Sequence, residues 1–252
     1  MSEGKLQDRV AVVTGAGQGI GEGVARLYAA EGAKVAVVDI NQEAAQAVAD
    51  SIVADGGQAV AVVCDVGSRA SVDEAAAAVV EQLGVIDILV SNAGVTRPAM
   101  LWKMTDDEWN MVLDTHLGGS FYWLQAVAGG MREQKYGRII FTTSAAGIIG
   151  TIGQINYSVA KAGLLGMTRS AARELADSKV TVNAIAPAAS TPMTEVIRTD
   201  ERFKDTYLQS IPLKRWAEPD EVAASYLFLA TEEAGYLTGQ CLSVDGGRVM
   251  VR

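Results

Sequence analysis

Three residues in the stretch SAAGIIGTIGQINYSVAK carry side chains that move or hold protons: Ser144, Tyr157 thirteen positions later, and Lys161 four positions beyond the tyrosine. A spacing of four puts Tyr157 and Lys161 on one face of a helix. A free phenol titrates near ~10, and a neighbouring ammonium favours its phenolate, so the pair is suited to acid/base work near neutrality. Histidine is the more usual base at that pH, yet the chain has only His116, in DTHLGGSFYW. On these residues alone it stays open whether His116 is the base or the chemistry runs without histidine.

A second group of residues suits phosphate binding. TGAGQGIG, from Thr14 to Gly21, joins a β-branched run to a helical one in a T-G-x-x-x-G-x-G pattern rather than a strict G-x-G-x-x-G. Gly15, Gly17, Gly19 and Gly21, with Gln18 and Ile20 between them, let the backbone turn tightly and approach a pyrophosphate at a helix N-terminus. Asp39 ends the next apolar run, 18 residues after Gly21, where a carboxylate takes adenosine ribose hydroxyls. It would repel a 2′-phosphate, and Gln18, Ile40 and Asn41 bring no positive charge, so the expected cofactor is NAD rather than NADP.

The elements that must hold these residues are legible as alternation. VAVVTG, KVAVVDI, QAVAVVCDV, IDILVSNAG, GRIIFTTS, KVTVNAIAP and QCLSVDGG read as seven strands, and their continuous apolarity predicts burial on both faces. Helical periodicity lies between them, including long segments at 106–134, 154–177 and 219–231. Gly32, Gly56 and Gly84 stand where helices should end. The fold class is α/β: a single Rossmann-type domain over 1–252, with a doubly wound parallel sheet and helices on both faces. Segments 95–105 and 188–217 are too long for plain connections. Both follow strand ends, and 188–217 is expected to be a lid over the substrate.

Composition narrows the function classes. A net charge of −9 without a basic run argues against a nucleic-acid partner. No uninterrupted apolar stretch reaches membrane-spanning length, and the N-terminus lacks a signal-peptide pattern, so no membrane partner and a cytoplasmic location are expected. One histidine and the distant Cys64 and Cys241 make none of the usual zinc ligand sets; no metal is expected, and both cysteines read as core residues.

In this order, TGAGQGIG, Asp39, CDV at 64–66, SNAG at 91–94, Ser144, YSVAK, NAIAP at 183–187 and DGG at 245–247 resemble the classical short-chain dehydrogenase/reductase family across nearly the whole chain. The resemblance implies hydride transfer between a nicotinamide and a carbinol or carbonyl carbon. It makes Tyr157 the acid/base, Ser144 the hydrogen-bond partner of the substrate oxygen, and Lys161 a ligand of the nicotinamide ribose as well as the cation that acidifies the phenol. Asp65 and Val66 would border the adenine, Asn92, Ala93 and Gly94 the dinucleotide track, and Pro187 to Thr191 the nicotinamide end. A homotetramer is also implied, formed through the long helices and the last helix and strand.

Two positions depart from the family pattern. His116 stands where an asparagine is usual; that residue interrupts its helix, and its main-chain carbonyl holds a water in the proton path, a role that a histidine backbone would preserve. Ala188 replaces a usual glycine, and Thr191 comes one residue early. The expected function is NAD-dependent interconversion of a secondary alcohol and a ketone, alicyclic or aromatic, because Met100, Leu101, Trp102, Met104, Ile148, Ile149, Ile152 and Met193 are expected at the mouth of the site. Reduction of a 3-oxoacyl thioester is the alternative, disfavoured by the acidic chain and by Asp39, which opposes the NADPH of biosynthetic reduction; Arg97, Lys103, Lys214 and Arg215 are its local cations. A non-catalytic NAD sensor is the third reading.

Overall fold

The computed structural model describes residues 4–250. Its chain runs β1 (Val10–Thr14), α1 (Gly19–Ala30), β2 (Lys34–Asp39), α2 (Gln42–Ala54), β3 (Gln58–Val63), α3 (Arg69–Leu83), β4 (Ile88–Ser91) and α4 (Asp106–Leu113). A π-helical turn, Asp114–Gly118, leads to α5 (Gly119–Gln134), β5 (Gly137–Thr142), α6 (Ala145–Ile149), α7 (Ile155–Leu175) and β6 (Val180–Pro187). Short helices α8 (Glu195–Thr199) and α9 (Lys204–Ser210) precede α10 (Pro219–Ala230) and β7 (Cys241–Val244).

The seven strands form one sheet in the order β3-β2-β1-β4-β5-β6-β7, with every pairing parallel. Valine and isoleucine runs suit strands covered on both sides. On one face Val24 and Tyr28 of α1, Val48 of α2 and Tyr226 of α10 pack against Val13, Val37 and Ile185. On the other, Val79 of α3, Trp123 of α5 and Leu164 of α7 pack against Val12, Leu89 and Phe141. Burial on both faces holds for the central strands, whereas the edge strands β3 and β7 are only partly covered.

The order reverses between β1 and β4, and open α/β sheets bind ligands in the crevice outside the strand ends at such a point. Thr14 ties the two ends together: its Oγ1 accepts the backbone N–H groups of Asn92 at 2.9 Å and Ala93 at 3.0 Å. Gly32 and Gly56 follow α1 and α2 at φ +89° and +87°, in the left-handed conformation that ends a helix.

Two long segments carry more structure than their sequence suggests. Residues 106–134 do not form one helix but two, joined through the π turn, in which the Gly119 N–H bonds back to the Asp114 carbonyl. Residues 188–217 contain α8 and α9, and their base is clasped where the Ser190 N–H reaches the Ala217 carbonyl at 2.8 Å beside an Ala189–Ala217 bridge.

Candidate active site

A cleft of about 450 Å³ opens over the ends of β1, β4, β5 and β6. Gly15, Gln18, Gly19, Ile20, Asp39, Ile40, Asp65, Val66, Asn92, Ala93, Gly94, His116, Ser144, Tyr157, Lys161, Pro187 and Thr191 all line it. Gly17 and Gly21, expected to contact the cofactor, are not on its wall; they shape it from behind. A Cβ on Gly21 would fall 2.1 Å from the Gly15 carbonyl oxygen, and one on Gly17 would lie 3.0 Å from the Asp39 carboxylate. Gly15 and Gly19 turn at φ +63° and +60°, which only glycine adopts without strain.

The turn opens onto α1, whose N-cap Gln18 makes no side-chain capping bond, so the N–H groups of its first turn are not claimed by a local cap. The Asn92 amide holds the turn from below by donating to the Thr14 and Gly15 carbonyls at 3.0 and 3.2 Å. A bare Gly-rich cradle at a helix N-terminus suits a pyrophosphate. At the far end, Asp39 accepts the Gly17 N–H at 2.9 Å and the Asn41 N–H at 3.0 Å, which aims its carboxylate. These residues fit the adenosine and pyrophosphate of a nicotinamide dinucleotide.

Tyr157 and Lys161 extend from α7 into the middle of the cleft. Asn156, fully buried, donates to the Arg97 and Glu108 carbonyls, both at 3.0 Å, and accepts the Tyr157 N–H at 2.8 Å; it fixes the start of α7 against α4 and the loop before it. Lys161 Nζ donates to the Thr142 carbonyl at 2.6 Å and lies 5.5 Å from the centre of the Tyr157 ring. Helix α6 closes tightly on this site, since a Cβ on Gly147 would lie 2.6 Å from the Lys161 carbonyl carbon. Ser144 caps α6 by accepting the Ala146 N–H at 3.2 Å, which leaves its own hydroxyl hydrogen free to donate.

The electrostatics differ from the sequence expectation. Burial pushes the Tyr157 phenol up to about 12, against a smaller lowering by the Ser144 hydroxyl and a further rise from Tyr207. Burial also pulls the Lys161 ammonium down to about 7. In the protein alone the phenol is therefore held protonated rather than acidified, because desolvation penalises the charged form of each group.

His116 lies within the π turn and is buried. Its Nε2 meets both polar groups of the Val95 backbone, 2.8 Å from the carbonyl oxygen and 3.1 Å from the N–H, as donor to the first in one tautomer or acceptor from the second in the other; Nδ1 is buried without a hydrogen-bond partner. Burial first, and then the Lys161 charge, hold the imidazole well below its usual pKa, so it is neutral. Its backbone carbonyl accepts the Ser120 hydroxyl at 2.6 Å.

Thr191 lines the cleft, with its N–H on Thr194 Oγ1 at 3.0 Å. Ala188 keeps an ordinary negative φ, as an alanine should. The apolar mouth is placed differently from expectation. Among the eight residues named for it only Met193 lines the cleft, while Trp102 and Ile152 are 74% and 88% exposed. The wall instead includes Gln154, Ile197, Tyr207, Trp216 and Arg248, none of which local spacing singles out.

The family model described as enoyl-(acyl carrier protein) reductase matches residues 15–248. A 3-oxoacyl-[acyl-carrier-protein] reductase of Synechocystis sp. is 46% identical over 249 residues, covering 97% of this chain and 98% of its own. The 3-oxoacyl-[acyl-carrier-protein] reductase FabG of Thermotoga maritima is 40% identical over 247 residues, 98% of this chain and 100% of its own. A Beutenbergia cavernae structure, described as an NAD(P)-dependent gluconate 5-dehydrogenase with bound NADP at low occupancy, superposes with a TM-score of 0.93 at 33% identity, covering 98% of this chain and 99% of its own. These relatives overturn the expectation of a secondary-alcohol dehydrogenase for neutral alicyclic or aromatic substrates and favour the thioester alternative. The physical basis of that expectation is weakened as well, since seven of the eight apolar residues that suggested it are not on the cleft wall.

Proposed function

The chain belongs to the short-chain dehydrogenase/reductase family, and from that premise we propose that it reduces the 3-oxo group of an acyl thioester with NADH. The reading is carried by near-full-length identity of 46% to a 3-oxoacyl-[acyl-carrier-protein] reductase, with Ser144, Tyr157 and Lys161 gathered in one cleft.

Tyr157 serves as the acid. Held at about 12, its phenol carries a proton at neutral pH and has it available for the oxygen of a bound ketone. Ser144 donates a hydrogen bond to the same oxygen and fixes the carbonyl plane. Lys161, anchored on the Thr142 carbonyl, has two further N–H groups for the ribose hydroxyls, and its charge favours the phenolate left after proton transfer. His116 holds the Val95 loop beside the tyrosine. A bound dihydronicotinamide supplies the hydride that the carbonyl carbon accepts.

Asp39 supports NADH over NADPH. Its carboxylate is fixed by two backbone amides, and the neighbouring Ile40 offers no cation to a 2′-phosphate. Segment 188–217 serves as the lid, presenting Met193, Ile197, Tyr207 and Trp216 to the cleft. A homotetramer in the cytoplasm completes the proposal: Met111 on α4, Phe121 on α5, Val159 on α7 and Phe228 on α10 are exposed apolar side chains on the helices expected to pair, and no helix among the described residues is long and apolar enough to cross a membrane.

The test is NADH consumption with 3-oxobutyryl thioesters of acyl carrier protein and of N-acetylcysteamine. Steady turnover of both, faster than oxidation of any secondary alcohol in a panel, is the expected result. Inertness toward thioesters of every chain length would overturn the reading.

A further inference from the structure

The charged side chains that line the cleft are unevenly placed. Asp39 and Asp65 lie at the adenosine end, and Lys161 and Arg248 line the remainder. Lys161 is committed to the Thr142 carbonyl. Arg248 has no carboxylate partner among the described residues. The nearest acid in sequence, Asp245, is used up by backbone: it accepts the N–H groups of Gly247, Arg248 and Val249 at 3.0, 3.0 and 2.8 Å.

Aromatic rings hold the guanidinium in place. Its central carbon lies 3.9 Å from the centre of the Tyr207 ring, and one Nη donates to the Tyr207 hydroxyl. Tyr207 in turn stacks on Trp216, 4.6 Å between centroids and 8° from parallel. The other edge of the guanidinium, Nε with the second Nη, makes no hydrogen bond among the described residues. That edge is the planar fork that binds two oxygens of one carboxylate or phosphate at once. A cation held flat by stacking loses little freedom when it takes such a ligand.

We propose that Arg248, held by Tyr207 and Trp216, is a specificity-determining residue that binds an anionic oxygen pair of the substrate, carboxylate or phosphate, beside the reacting carbonyl. The proposal deepens the thioester reading and rests on it. A 3-oxoacyl group with a carboxylate at its far end and a phosphorylated pantetheine arm are the two sources of that chemistry.

Three substrates distinguish the sources: the N-acetylcysteamine thioester of 3-oxobutyrate, the N-acetylcysteamine monothioester of 3-oxoadipate with its free carboxylate, and the phosphopantetheine thioester of 3-oxobutyrate. The ratio of kcat/KM for a charged substrate to that for the neutral one should fall roughly 10- to 100-fold in R248Q, the size of a lost charge-assisted fork. R248K, which keeps the charge without the fork, should lie between. The substrate whose ratio falls identifies the source. Equal ratios in wild type and R248Q overturn the proposal.

Adipate binding gives a readout without turnover. Saturable quenching of Trp216 fluorescence, absent in W216F, should weaken at least about 10-fold in R248Q. If wild type reduces no thioester, the functional reading fails, and the adipate titration still judges Arg248. Inorganic phosphate is titrated in the same way, and if neither adipate nor phosphate binds wild type more tightly than R248Q the anion site is overturned.

Discussion

The imidazole of His116 stands edge-on to the phenol of Tyr157, with 5.1 Å between ring centroids and 89° between planes. The two groups share a buried space and differ in chemistry, since the histidine is neutral and bonded to the Val95 backbone while the tyrosine carries the labile proton. Y157F should lower kcat about 10²- to 10⁴-fold, the usual worth of a general acid. H116N should stay within about 10-fold of wild type, because a shorter polar side chain removes little besides the Val95 contact. Single-turnover rates with a 3-oxobutyryl thioester check both. An H116A loss as deep as that of Y157F would make histidine the acid.

Gly94 reports on the same arrangement. A Cβ there would lie 2.1 Å from His116 Cε1, a distance no packed structure tolerates, while the Gly94 backbone has no positive φ that alanine would strain. G94A should therefore displace the imidazole and cost about 1–3 kcal/mol of stability as an overpacked site. In an H116A background, where the obstructing atoms are gone, the same change should cost much less. Denaturant unfolding of the wild type and the three variants gives the coupling directly; additive costs would mean that the ring is not the obstacle.

What the sequence makes legible is local. The phosphate turn, Asp39 and the Tyr157–Lys161 pair each declare themselves within a few residues, because a strand end followed by a helix places them together whatever surrounds them. Tyr207 and Trp216 come from segment 188–217 and Arg248 from the turn after β7, and only the pairing of β7 beside β6 and the folding back of 188–217 bring them together at the cleft. Leu101, Trp102, Ile149 and Ile152 mislead for the converse reason: they adjoin the site in sequence, yet they are exposed and stand off the cleft wall. The sign of the Tyr157 shift is hidden as well, since a neighbouring lysine can be read from spacing and the burial that raises the phenol cannot.

Asp39 makes cofactor choice testable. Its Oδ2 is held by the Gly17 N–H and its Oδ1 by the Asn41 N–H, so on the proposed reading a fixed carboxylate would oppose a 2′-phosphate on the adenosine ribose. D39A should raise the KM for NADH and move the NADH/NADPH ratio of kcat/KM toward NADPH by about 10- to 100-fold, through loss of the ribose hydrogen bonds and of the like-charge repulsion. A ratio unmoved by D39A would show that another part of the cleft selects the cofactor.

Lys161 links the site to stability. Its ammonium titrates at about 7 in the folded protein against an ordinary 10.5, through burial. Between those values the unfolded chain holds a proton that the folded one has released, so stability rises with pH across that window and this group contributes no slope well below it. From pH 7 to pH 9 the contribution is at most about 2–3 kcal/mol, or several degrees in Tm for a chain of this size. Tyr157, raised to about 12, acts in the opposite sense, since its protonated form is the favoured one in the fold, but only above pH 10, where the unfolded phenol ionises. K161M should thus flatten the rise in Tm between pH 7 and pH 9 while shifting the whole curve upward, as an apolar side chain replaces a poorly solvated cation. A K161M curve parallel to that of wild type would place the titrating group elsewhere and leave the Lys161 ammonium charged throughout that range.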